Sequence, residues 1–158
     1  MDNEQLTRDR IVFEARQWLG TPYHHRGRVK GAGCDCAQLV AASYAAAGVI
    51  PYIEPKVYPK DWHLHRGEEQ YIAEVEQYLV RVDDDDRSFN ERPRDASYEP
   101  GDVLMFRMGR TFSHSAIVTQ WPYIIHASAP SILVEEVRIY GTTMARLPTR
   151  AYTFRRDT

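Results

Sequence analysis

Two cysteines stand one residue apart in the stretch 33-GCDCAQLVAASYAAAG-48, and they are the only cysteines in the 158 residues. Asp35, between them, precedes an alanine-rich apolar run and has the side chain of a helix N-cap. Cys36 then falls in the first helical turn. There the positive end of the helix dipole and unpaired backbone N–H groups lower a thiol pKa and favour the thiolate. That is the setting of a nucleophile. It is equally compatible with a structural cysteine, because free Cys packs as a small buried hydrophobe. A Cys34–Cys36 disulfide would close a tiny strained ring and is not expected.

A thiol nucleophile needs a base, and the chain has six histidines. His63 and His65 lie in a polar, Trp-containing approach to a helix and read as surface or packing residues. His114, in FSHSAIV, opens one apolar run, and His126, in YIIHAS, lies late in the next. A turn at Trp121-Pro122-Tyr123 makes these runs a hairpin with both histidines at its open end, within reach of each other across the strands. One ring can take the thiol proton while the other fixes its tautomer; the plain alternative is two unrelated histidines. A second chemistry is a zinc module built from Cys34, Cys36, His24 and His25. Its C-x-C spacing is tighter than a finger knuckle, and adjacent histidines seldom face one ion.

These residues need elements to position them. Residues 4–19 read as a helix with Ile11, Ala15 and Trp18 on one face and Leu19 on its shoulder, stopped by Gly20. A glycine-rich loop, YHHRGRVKGAG, leads to the Cys36 helix, whose stripe carries Val40, Tyr44 and Ala47 and which Gly48 terminates. Residues 51–60 hold three prolines and read as irregular. A third helix is expected over about 61–80, with Ile72, Val75 and Leu79 on its apolar side. The run Asp83–Asp86 reads as a solvated loop, since its spacing does not match an EF-hand, and 87–99 reads as polar and irregular. Pro100-Gly101 suits a type II turn. Short apolar runs follow at 103–106, 115–121, 123–128, 131–137 and 151–154, the signature of an antiparallel sheet. Helices first and strands later predict an α+β fold.

Length and composition bound the rest. One domain over 1–158 is expected, with an insertion at about 50–98. Hydrophobic residues make up 43% and charged residues 27%, ordinary for a globular chain, and the net charge of −2 gives no field for nucleic acid or anionic lipid. No stretch has the roughly 20 apolar residues of a membrane span. The N-terminus lacks the layout of a signal peptide, so the chain is expected to be cytoplasmic when made.

The ordered set GTPY, D-C opening an alanine-rich helix, PGD-x-x-x-F, H-x-x-I-V and I-H-A-S resembles the NlpC family (NlpC/P-sixty group) of papain-like cysteine peptidases over about residues 10–137. The resemblance implies a papain-like α+β fold, N-terminal helices with the nucleophile helix packed on a C-terminal antiparallel sheet. It implies Cys36 as nucleophile, His114 as general base, His126 as the third polar residue and Tyr23 near the oxyanion site. It also implies cleavage of peptidoglycan peptide stems at a γ-D-glutamyl–diamino acid bond, with no cofactor. Departures are Ala37-Gln38 where Ser-Gly is common, Ser115 where an apolar residue is usual, Cys34 in place of a hydrophobe, His24-His25 after the tyrosine, and the insertion. A catalytic domain without recognisable wall-binding repeats resembles phage or prophage tail peptidases, so action at the bacterial wall with phage-tail partners is the expected placement. A non-catalytic adaptor domain on the same fold stays open, whereas an acyltransferase on a permuted fold would put His before Cys.

Overall fold

The computed structural model describes residues 1–53 and 70–154. Helix α1 spans Asn3–Arg16 and is capped by Asp2, whose carboxylate accepts from Gln5 N at 2.8 Å. It ends a turn earlier than its pattern predicts, because the chain leaves the helix at Gln17 and turns at Gly20 with φ +81°. Trp18 stays buried, but Leu19, expected on the apolar shoulder, faces outward. A two-stranded ribbon, β1 (Arg28–Val29) and β2 (Gly33–Cys34), replaces the open loop that glycine content suggested. Helix α2 (Cys36–Ala46) follows, then helix α3 (Gln70–Tyr78). Of the predicted helix over 61–80, residues 61–69 lie outside the described residues. Its last two predicted positions begin a strand instead.

That strand, β3 (Leu79–Arg81), joins β4 (Val103–Met108), β5 (Thr111–Gln120), β6 (Tyr123–Ser128), β7 (Leu133–Arg138) and β8 (Thr149–Phe154). The six form one sheet in the order β3-β8-β4-β5-β6-β7, antiparallel throughout. The fold is thus α+β, as its element order indicates. β3 was hidden from pattern reading because Leu79 and Val80 continue the apolar spacing of α3.

Alternation sorts the strands between two cores. Met105, Ile117, Ile125, Ala127 and Tyr152 face α1, α2 and α3, where Ile11, Leu39, Tyr44, Ile72 and Val75 meet them. Leu104, Phe106, Ala116, Val118 and Ile124 face the other way, onto Phe89, Tyr98 and Ile139. The 87–99 segment is irregular, yet it is not simply polar surface, since it covers one face of the sheet. Buried Arg92 ties it down, donating to Arg87 O at 2.9 Å and Asp85 O at 2.8 Å and bonding the Tyr98 hydroxyl. The aspartate run likewise differs from a freely solvated loop. Asp86 takes Arg81 at 2.6 Å and Arg150 at 3.1 Å, and Asp85 takes Arg87 at 2.8 Å.

Candidate active site

The turn that carries Cys36 is assembled by backbone bonds from three directions. Cys34 N donates to Pro22 O at 3.0 Å, His24 N to Cys34 O at 2.9 Å, and Tyr23 N to Ile132 O at 2.8 Å. Tyr23 is therefore wedged between β2 and the turn before β7. Glycine is required here by close approach: a Cβ on Gly33 would lie 2.6 Å from His24 Cβ. Asp35 caps α2, accepting from Gln38 N at 3.0 Å and from Arg26 N at 2.8 Å. Gln38, one of the departures from the family pattern, is buried and accepts from Arg28 Nε at 2.7 Å, which fastens the ribbon to the first turn of α2.

The two cysteines diverge at this strand–helix junction. Cys34 is fully buried among apolar side chains, and both thiols are free. Cys36 is half-buried and borders a cavity of about 880 Å³ that Tyr23, His114, His126 and Tyr71 also border. Its Sγ lies 3.6 Å from Ser113 O, to which the thiol donates. A β-bulge makes that carbonyl available. Phe106 pairs with His114 and Arg107 with Phe112, so Ser113 is the extra residue on β5. Among the described residues no group of three or more His, Cys, Asp or Glu side chains is arranged to hold a metal ion.

His114 and His126 are brought together, although diagonally rather than directly opposite. The register pairs Ile117 with Ile125; continuing it sets His126 across from Ala116, two residues from His114 and on the same face. His114 Nε2 lies 3.0 Å from His126 Nδ1, with the rings nearly perpendicular at 83°. Beyond it, His126 Nε2 lies 3.0 Å from Glu135 Oε1, on the neighbouring strand where His126 and Glu135 are register partners. Sequence reading missed Glu135. The one available signal was a pair of glutamates inside the apolar run SILVEEV, which needed the β6–β7 register to be interpretable.

This chain of acceptors determines the tautomers. A carboxylate only accepts, so His126 Nε2 carries the hydrogen and its Nδ1 is a lone pair. That lone pair accepts from His114 Nε2–H. His114 Nδ1 is then left as a lone pair, the form a general base requires.

Electrostatics depart from the expected low-pKa thiolate. Burial, and then the charge of Asp35, push the Cys36 thiol up to about 12, outweighing the Ser115 and Ala37 N–H groups that favour the ionised sulfur. Burial and then His126 push His114 down to about 3. Burial lowers His126 as well, partly offset by Glu135. The resting pair is a neutral thiol and a neutral imidazole. Burial, followed by electrostatic coupling to Cys36, Asp35 and Cys34, raises Tyr23 to about 12, so its phenol stays a hydrogen-bond donor.

Fold and site together define an α+β protein with a cysteine at a helix N-terminus and a histidine pair on an antiparallel sheet, bordering one cavity. The family model described as the NlpC/P60 family matches residues 20–148, and the chain belongs to that family. Similar solved structures include the NlpC/p60 domain of the peptidoglycan hydrolase SagA, at 21% identity and TM-score 0.59 over 93% of this chain and 98% of that one. An N-acetylmuramoyl-L-alanine amidase from Bacteroides uniformis superposes at TM-score 0.67 with 11% identity, over 95% of this chain and 99% of that one. An NlpC/P60 family protein from Bacillus cereus matches at 18% identity and TM-score 0.58, over 93% of this chain but only 40% of that longer one. No curated protein matches the chain in sequence.

Proposed function

We propose that the chain is a cysteine peptidase that cleaves peptide stems of bacterial peptidoglycan at a γ-D-glutamyl–diamino acid bond. Family membership and the peptidoglycan hydrolases among similar structures support the substrate class. The observation that carries the reading is the aligned series Glu135–His126–His114, whose contacts of 3.0 Å leave a lone pair on Nδ1 of His114, a residue that borders the same cavity as Cys36.

The thiol of Cys36 turns from Ser113 O and gives its proton to His114 Nδ1 as the sulfur attacks the scissile carbonyl carbon. Burial penalises either charge alone, so transfer is concerted with attack and the two charges arise side by side. The carbonyl electrons move to oxygen, where the Tyr23 hydroxyl and the Cys36 backbone N–H, a helix-start donor, receive them. Collapse breaks the C–N bond, and His114 gives its proton to the leaving amine. Water then attacks the thioester with His114 as base, the C–S bond breaks, and the thiol regains a proton.

Purified chain incubated with muropeptides of known stem sequence, read by mass spectrometry, tests this. Cleavage at the γ-D-glutamyl bond is expected. Cys36→Ala should abolish it, and His114→Ala should lower kcat/KM by about 10³-fold or more. A non-catalytic domain is the second reading, favoured by the resting thiol being neutral and hydrogen-bonded to Ser113 O. Wild-type chain with no cleavage of any stem bond would establish that reading instead.

A further inference from the structure

Helix α3 belongs to the insertion, and its Tyr71 reaches the nucleophile turn through one side chain. Tyr71 Oη lies 2.8 Å from Ser115 Oγ, and Ser115 Oγ donates to Cys36 O at 3.2 Å. Ser115 has one hydroxyl hydrogen and spends it on the Cys36 carbonyl, so Tyr71 is the donor in their contact. Ser115 is fully buried on β5, two residues from the bulged Ser113 whose carbonyl receives the thiol. An apolar residue at 115, the type the family resemblance leads one to expect, could make neither bond. Ile72 and Val75 seat α3 in the core, while Gln70, Glu74 and Tyr78 border the cavity. The element that would meet a bound stem peptide is therefore the element that holds Ser115.

We propose that Tyr71 and Ser115 are positioning residues, which hold the Cys36 turn against β5 and transmit the seating of the inserted helix to the nucleophile. The proposal rests on the cysteine-peptidase reading for its purpose, though not for its test. Both the N–H and the hydroxyl of Ser115 favour the ionised sulfur. The hydroxyl has two uses, on the Cys36 carbonyl while the thiol is neutral and on the sulfur as it loses its proton. Donation from Tyr71 polarises that hydroxyl and strengthens it as a donor. The other groups that act on the sulfur are Asp35 at the helix cap, which raises it, and the Ala37 N–H, which lowers it; Cys36 in turn raises Cys34 on β2 and Tyr23 beside the ribbon. His114 and His126 on the sheet, together with His25, Arg28, Glu74 and Glu135, border the same cavity.

The test is the rate of Cys36 alkylation by iodoacetamide from neutral to alkaline pH, read by peptide mass, for wild type, Ser115→Ala, Ser115→Thr, Tyr71→Phe and the Tyr71→Phe/Ser115→Ala double variant. Ser115→Ala should move the profile to higher pH, with labelling about tenfold slower at a fixed pH for each unit moved. Ser115→Thr, which keeps the hydroxyl, should restore it. Tyr71→Phe should shift it less, and should add nothing in the Ser115→Ala background. Superposable wild-type and Ser115→Ala profiles overturn the proposal, as does a Tyr71→Phe shift that is the same in both backgrounds. If Ser115→Ala does not fold, Tyr71→Phe alone decides, and an unchanged profile again overturns it. Alkylation needs no substrate, so muropeptide cleavage measured in parallel separates the two ideas: shifted profiles with no wild-type cleavage sink the hydrolase reading only.

Discussion

Glu135 is the single residue on which the hydrogen placement of both histidines depends. Its carboxylate holds the hydrogen on His126 Nε2 and so, through two contacts of 3.0 Å, the lone pair on His114 Nδ1. Glu135→Ala should lower kcat/KM by roughly tenfold or more, while Glu135→Gln, whose amide oxygen can still accept from Nε2–H, should lose less. ¹⁵N shifts of the two imidazoles check the cause, and an unchanged His114 tautomer in Glu135→Ala would remove it. His114 also links folding to pH. Its folded value of about 3 lies below the ordinary imidazole value, so between the two the unfolded chain binds a proton that the folded chain does not. Stability contributed at neutral pH is therefore lost as pH falls from about 6.5 towards 3. Urea unfolding of His114→Leu at neutral and acid pH should show a shallower acid decline than wild type.

At the scale of elements, the start of α2 is the joint on which the site depends. Asp35 satisfies Gln38 N and Arg26 N together, so Asp35→Ala frees both the helix start and the ribbon loop. The lost cap should cost about 1 kcal/mol in urea unfolding, and activity should fall more than stability because the first turn carries Cys36. An activity loss no larger than the unfolded fraction would show the cap to be structural only. The bulge at Ser113 is the matching device on the sheet, and it explains how a carbonyl of β5 becomes an acceptor for the thiol in the middle of a paired strand.

For the whole molecule, the helical layer and the sheet are locked by a buried ion pair. Arg8 on α1 donates to Asp102 Oδ1 at 2.9 Å, to Pro100 O at 3.0 Å and to Glu4 Oε1 at 3.0 Å, and both Arg8 and Asp102 are almost wholly buried. Removing Asp102 still leaves Arg8 with Glu4 and the Pro100 carbonyl, whereas removing Arg8 strands the buried Asp102 carboxylate. Arg8→Met should therefore cost about 3–5 kcal/mol, measured by the urea midpoint, whereas replacing both partners with apolar residues of similar volume should cost far less. Equal losses in the two variants would mean that packing, not the charge, sets the effect. No helix among the described residues is long and apolar enough to cross a membrane.

What the chain's own order determined is local chemistry. Asp35 before an alanine run specifies a capped helix start, Cys36 follows from it, and the turn at Trp121-Pro122 sets a hairpin that brings His114 near His126. These depend on contacts within a few residues or across one turn, and so they are legible as pattern. The thiol's electrostatics were not legible: the helix dipole is visible in sequence, but burial and the Asp35 charge outweigh it, and burial is a property of the packed whole. The role of Glu135, and that of Ser115, which the sequence marked only as a departure from the family pattern, lay equally out of reach. Each acts through a side chain whose partner is set by strand register or by the docking of helix α3, and a one-residue slip in register would have turned either away from the site.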